Sequence, residues 1–128
     1  MNNTADSEMH DGEVPIYETV KHLTRDELDA TVRQNAAAMN FDLTDEHLNV
    51  IHSLIEHYKQ DCATRDCLAA HEHMRFLEEA YESNGGSKYL YMLFDAVPGM
   101  RGVLVPIHEL TGLPSLRLDI DKGFGNAF

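Results

Sequence analysis

The two cysteines, Cys62 and Cys67, are the residues of this 128-residue chain with the most specific chemistry. A thiolate can attack a sulfur atom and be attacked in turn, so either residue could carry sulfur or take part in a redox reaction. Their spacing is not a Cys-x-x-Cys motif, and no neighbouring lysine or histidine in the sequence would favour a thiolate at Cys62. The plainer interpretation makes Cys67 a small buried side chain and Cys62 a turn residue. A redox-active or sulfur-carrying pair of cysteines is the alternative.

A metal site is a second possibility near these cysteines. Cys67 and His71 lie four positions apart, His73 follows, and zinc accepts such donors. His71 and His73 would point in divergent directions on a helix, and no second ligand pair has zinc-finger spacing. The segment from Asp119 to Gly123 resembles part of a calcium loop but lacks the remaining oxygen donors. The sequence therefore predicts neither a metal site nor a cofactor.

Charge limits the partners that the chain could bind. Its formal net charge of −12 makes nucleic-acid binding unlikely, because phosphate recognition needs a clustered basic face. Protein partners with basic surfaces fit better. The N-terminus is polar and acidic, and no apolar run approaches the length of a membrane span. Two cysteines are too few for a disulfide framework and are typical of a reduced cytosolic protein, so we expect a cytoplasmic location.

Two helix starts are marked in the first half of the chain. Thr24 and Glu27 form a capping box, in which each side chain can accept a backbone N–H of the other residue. Thr44 is followed by acidic residues that suit the first turn of a second helix. The two predicted apolar faces consist of Leu28, Val32, Ala36 and Met39 on the first helix, and of Leu48, Ile51, Ile55 and Tyr58 on the second.

The rest of the chain predicts three further helices. One runs from about Arg65 to Glu82 with Cys67 on its core face, and another is capped by Ser87 and ends at Phe94. A fifth short helix contains Pro106 in its first turn, with a strand at residues 103–105 as the competing interpretation.

The pattern as a whole predicts a mainly α fold: a compact bundle of about five helices with an extended C-terminal arm. We expect a disordered leader at residues 1–15, a helical domain at 16–114 and the arm at 115–128. A short β element could form within residues 14–20. The histidines of the second helix, His47, His52 and His57, are expected on its surface.

Three segments together resemble the DsrC/TusE family of sulfur-relay proteins. Residues 43–47, Leu-Thr-Asp-Glu-His, resemble the Leu-Thr-Glu-Glu-His helix start of that family. Residues 87–94, Ser-Lys-Tyr-Leu-Tyr-Met-Leu-Phe, resemble its Ser-Lys-Tyr-Leu-Tyr-Glu-Leu-Phe block, and residues 112–114 resemble its Ala-Gly-Leu-Pro hinge. Order and spacing agree over about three quarters of the chain.

The resemblance implies a small cytoplasmic protein that passes sulfur between partners on cysteines of a mobile C-terminal arm. Here the two family cysteine positions are occupied by His108 and Asp119, and no cysteine lies beyond Cys67. An imidazole and a carboxylate offer only charge and hydrogen bonding, so neither residue can carry sulfane sulfur. No catalytic residue is therefore assigned.

The resulting hypothesis is a non-enzymatic protein that keeps the scaffold of the family and acts as a regulator or competitor. It would bind sulfur-relay or sulfite-reductase-type proteins, with Lys88, Tyr89 and Tyr91 as the expected binding residues. The alternative is an active sulfurtransferase-type carrier that uses Cys62 or Cys67. The sequence does not predict the oligomeric state.

Overall fold

The computed structural model of the chain describes residues 16–64, 67 and 69–114. Within these ranges the chain is helical, without a β-strand, and none of the helices has both the length and the apolar character needed to cross a bilayer. The prediction of a mainly helical bundle is confirmed. The helices are α1 (Ile16–Val20), α2 (Arg25–Ala38), α3 (Asp45–Asp61), α4 (Ala70–Ala80), α5 (Ser87–Phe94) and α6 (Leu104–Thr111), with a 3-10 turn at Glu82–Asn84.

Helix α3 is the central element of the bundle. Helices α1, α4 and α5 pack against it, and α2 packs against α6. The predicted apolar face of α3 is buried, and Tyr58 on that face is fully enclosed. The most enclosed large side chains of the core are Tyr58, Phe94, Ile51, Leu54, Leu77, Leu90, Leu104, Ile107 and Leu110.

Both predicted helix starts are confirmed. The Glu27 N–H donates to Thr24 Oγ1 and the Thr24 N–H donates to Glu27 Oε1, each over 3.1 Å, so α2 begins with the complete capping box. At the start of α3, His47 occupies the N3 position of the capping box, where glutamate is the usual residue. Its Nδ1 accepts the Thr44 N–H over 3.0 Å.

The predicted helix from Arg65 to Glu82 is shorter than expected. Helix α4 begins only at Ala70, and Cys67 lies before it, outside any helix. Ala69 at the N-cap position has no side chain that can accept a backbone N–H, so the sequence does not mark this start. A disulfide between Cys67 and Cys62 holds the two Cα atoms 5.5 Å apart, which keeps this residue beside the end of α3.

Three smaller predictions are also corrected. Residues 16–20, assigned to a possible β element, form α1, because helical spacing buries Ile16 and Val20 together. Gly86, with φ of 63°, is the N-cap of α5, and Ser87 is its first helical residue. The competing strand at residues 103–105 is wrong, since α6 begins at Leu104. The predicted leader 1–15 and arm 115–128, including Asp119, lie outside the described residues.

Candidate functional sites

Cys62 and Cys67 are joined by a disulfide, although the sequence suggested two reduced thiols. Cys62 is the C-cap residue of α3, and both cysteines are nearly buried, with 6% and 4% of their surface exposed. Ala63 and Thr64, which follow Cys62, are exposed. The bond therefore lies just beneath the surface, where it connects the end of α3 to the approach to α4.

A pair of buried histidines lies beside this disulfide. His73 Nε2 is 2.7 Å from the carbonyl oxygen of Cys67, and His73 Nδ1 is 3.0 Å from His57 Nε2. On its other side, His57 Nδ1 is 3.3 Å from Asp61 Oδ2. A continuous polar chain thus runs from the Asp61 carboxylate through both rings to the backbone of Cys67.

Two of the three histidines expected on the surface of α3 are buried. His47 bridges two helices, because its Nε2 donates to the Leu93 carbonyl of α5 over 2.7 Å while Nδ1 caps α3. His57 stacks on Phe76, with ring centroids 4.1 Å apart. Only His52 remains partly exposed, where it donates to Asp29 Oδ1 over 2.7 Å. Within the described ranges, no three side chains of His, Cys, Asp or Glu are grouped to hold a metal ion.

His108 is a buried residue of α6. Its Nδ1 lies 2.7 Å from the Pro114 carbonyl oxygen, and its Nε2 lies 2.7 Å from the Tyr58 hydroxyl. Because a carbonyl can only accept, Nδ1 carries the proton, and the neutral ring accepts the Tyr58 O–H at Nε2. Both ring nitrogens are therefore engaged in holding α6 and Pro114 against α3.

Burial controls the ionisation of His108 and Tyr58. It lowers the pKa of His108 to about 4, although the hydrogen bond to the Pro114 carbonyl acts in the opposite direction and raises that pKa. It also raises the pKa of Tyr58 well above the ordinary value for a phenol. Both groups are consequently neutral at physiological pH, which agrees with the O–H to nitrogen hydrogen bond.

The expected binding residues of α5 do not share one surface. Lys88 and Tyr89 line a shallow depression of about 320 Å³ together with Asn84, Gly85 and Met92. Tyr91 does not line it. Partial burial raises the pKa of Tyr91, as do the carboxylates Glu78 and Asp95.

Met92 is the residue of this surface that the sequence argument missed. Its side chain is 64% exposed, whereas the same helix buries Leu90, Leu93 and Phe94. The octapeptide did contain a signal, since Met92 occupies the one position at which it departs from the Ser-Lys-Tyr-Leu-Tyr-Glu-Leu-Phe block.

A larger polar groove of about 630 Å³ follows the exposed edge between α3 and α4. Ser53, His57, Asp61 and Tyr81 are among the residues that line it, and Ser53 Oγ lies 2.7 Å from the Tyr81 hydroxyl. The groove exposes one side of His57, the outer residue of the histidine pair. No nucleophile in it is paired with a histidine base in the described structure.

Comparisons of the chain with models of protein families, with curated proteins and with solved structures find no match.

Proposed function

We propose that the chain is a DsrC/TusE-like protein of sulfur metabolism that binds partner proteins and does not carry sulfur on its C-terminal segment. The observation that carries this proposal is the depression on α5, where the exposed Met92 lies beside Lys88 and Tyr89. Methionine and tyrosine are both enriched in protein interfaces relative to the rest of the surface, which favours Met92 and Tyr89 as contact residues. Partners of the sulfur-relay or sulfite-reductase type, in the cytoplasm, follow from the sequence resemblance.

The environment of His108 supports the part of the proposal that concerns sulfur. The residue is nearly buried and hydrogen-bonded at both ring nitrogens, so it serves to attach Pro114 to the bundle. A group in this role is not presented to a partner. The position that would hold a carrier thiol is thus used here for packing.

Binding can be measured by calorimetry with two purified probes, a sulfur-relay protein complex and a sulfite reductase. We expect Met92→Arg to weaken binding by about tenfold or more, because the substitution places a charge in the apolar centre of the contact. Gln34→Arg on the exposed side of α2 is the matched control, since it adds the same charge elsewhere, and it should bind like the unmodified chain. Equal affinity of the two variants would contradict the proposed surface.

The alternative function, a sulfur carrier that uses Cys62 or Cys67, is favoured by the closeness of the two sulfur atoms. After reduction, a carrier should show at least one thiol that reacts rapidly in the folded chain, and a persulfide donor should leave a stoichiometric sulfur adduct detectable by mass spectrometry. Such an adduct would overturn the binding-only proposal. Its absence, with partner binding intact, supports it.

A further inference from the structure

The disulfide and the histidine pair are connected through the backbone of one residue. His73 Nε2 donates to the carbonyl of Cys67, whose sulfur is bonded to Cys62. The disulfide therefore fixes the acceptor that orients His73. Once His73 is oriented, its Nδ1 faces His57 Nε2, and His57 Nδ1 faces the Asp61 carboxylate.

The acceptors around the pair limit where its protons can lie. The Cys67 carbonyl can only accept, so His73 Nε2 carries a proton. The contact between the two rings holds a second proton, on His57 Nε2 or on His73 Nδ1. The Asp61 carboxylate lies within ion-pair distance of His57 Nδ1, and its negative charge favours a third proton there. Two neutral imidazoles supply only two protons, so the pair with this third proton is positively charged beside Asp61.

The surroundings of the pair are suited to one positive charge. Phe76 stacks on His57, and the edge of Tyr58 meets His73 with ring centroids 4.8 Å apart. A shallow groove beside His57 is lined by Asp61 together with Glu72 and Glu79 of α4, and by Arg75. From α6 the neutral His108 faces the same cluster, and the charge of His73 helps to lower the His108 pKa. The larger groove on the other side of His57 adds Arg25, His52 and Glu56. Among the described residues that line these two grooves, four carboxylates stand against two arginines.

We propose that Cys62 and Cys67 form a reversible dithiol–disulfide site, and that the bonded form holds an additional proton on the His57–His73 pair. The reductant is a small dithiol. It supplies two electrons and two protons, its own thiols become a disulfide, and the bond between the two Sγ atoms is replaced by two thiols. Reduction frees Cys67 from Cys62, weakens the bond from His73 to the Cys67 carbonyl, and lets the pair release its additional proton to water.

The position of the bond fits reversible chemistry. It joins residues five positions apart at the edge of the bundle, so its loss leaves the packing of α2 against α6 untouched. In a reducing compartment, disulfides of this kind are transient and serve catalysis or redox sensing. The proposal is independent of partner binding on α5.

The first test treats the oxidised full-length chain with dithiothreitol under native conditions and counts thiols with a chromogenic reagent. We expect two thiols per chain while the helical circular dichroism signal is kept, and re-oxidation by oxidised dithiothreitol should remove them. Release of thiols only in concentrated urea would overturn the redox site.

The second test follows the histidine ring signals by NMR as a function of pH, with His57→Gln and His73→Gln used for assignment. Reduction should weaken proton binding by the pair about tenfold, which moves its titration midpoint down by about one pH unit. His52, which is bonded to Asp29, is the internal control, and its ring signals should be the same in the oxidised and reduced chains. Cys62→Ser with Cys67→Ser should reproduce the reduced profile. Identical profiles for the pair in the oxidised and reduced chains would overturn the coupling.

Discussion

His108 is a buried residue whose contacts assign it a structural role. Its ring lies between Tyr58 and Pro114, with both nitrogens hydrogen-bonded. In such a site a neutral imidazole is stabilising only while both partners are present, because a buried polar atom without a partner keeps its full desolvation cost.

Replacement of Tyr58 by phenylalanine tests this contact. The substitution removes the donor to His108 Nε2 and leaves the rest of the ring in place, so we expect the free energy of unfolding to fall by about 1 to 3 kcal/mol. Urea denaturation followed by circular dichroism measures it. Tyr81→Phe is the control, since the Tyr81 hydroxyl lies at the exposed edge of α3 and α4 and its loss should cost less. Similar losses for the two variants would show that the buried hydrogen bond has no special weight.

The low pKa of His108 predicts a loss of stability in mild acid. The unfolded chain protonates His108 near its ordinary value of 6.5, whereas the folded chain does so only near 4. Between these values the unfolded state binds more protons, so stability falls as pH decreases, by about 3 kcal/mol over the full range. Unfolding free energies measured from pH 7 to pH 4 should therefore decline less in His108→Gln than in the unmodified chain. A His108 ring signal that titrates near pH 6.5 would contradict the assignment.

At the scale of elements, helix ends separate what the sequence could predict from what it could not. The starts of α2 and α3 were predictable because local side chains cap them: Thr24 Oγ1 accepts the Glu27 N–H, and His47 Nδ1 accepts the Thr44 N–H. The start of α4 was not, because its N-cap residue Ala69 has no side chain that can accept a backbone N–H. The apolar faces were predictable for the same local reason, since helical spacing alone brings their members together.

The candidate sites show the same division. Lys88 and Tyr89 could be placed on one short helix from the octapeptide, and their neighbour Met92 could have been added by its spacing of four from Lys88. The His57–His73 contact joins residues 16 positions apart on two helices, and its partners are buried polar groups. Sequence patterns place polar side chains outside, so histidines that satisfy one another inside the core are missed.

The end of α6 gives a prediction for a single element. Gly112 is the residue after the helix and has φ of 75°, and an added Cβ would meet no other atom within 4 Å. Gly112→Ala should therefore lower the free energy of unfolding by about 1 kcal/mol through backbone strain alone. Gly112→Asn should cost less, because asparagine tolerates the left-handed region. Thermal unfolding compares the two, and a more stable alanine variant would refute the argument.

For the whole molecule, the net charge of −12 is the dominant electrostatic property. Self-repulsion of this size disfavours the compact state at low ionic strength, and salt screens it with a Debye length of about 8 Å at 0.15 M. We expect the melting temperature to rise by a few degrees between about 0.01 M and 0.15 M sodium chloride, because the repulsion between surface charges is screened more strongly at the higher concentration. Scanning calorimetry at matched pH measures this. A falling melting temperature would mean that attractive ion pairs dominate.

The bond from His108 to the Pro114 carbonyl also sets how short a folded fragment can be. A chain truncated after residue 114 retains the acceptor for the His108 Nδ1–H, and Gly112 and Leu113 still donate to the His108 carbonyl. A chain truncated after Thr111 loses all three interactions and leaves a polar ring enclosed without an acceptor. Limited proteolysis should therefore leave a fragment that ends at or beyond residue 114, and a stable fragment that ends at Thr111 would contradict the role of these three interactions.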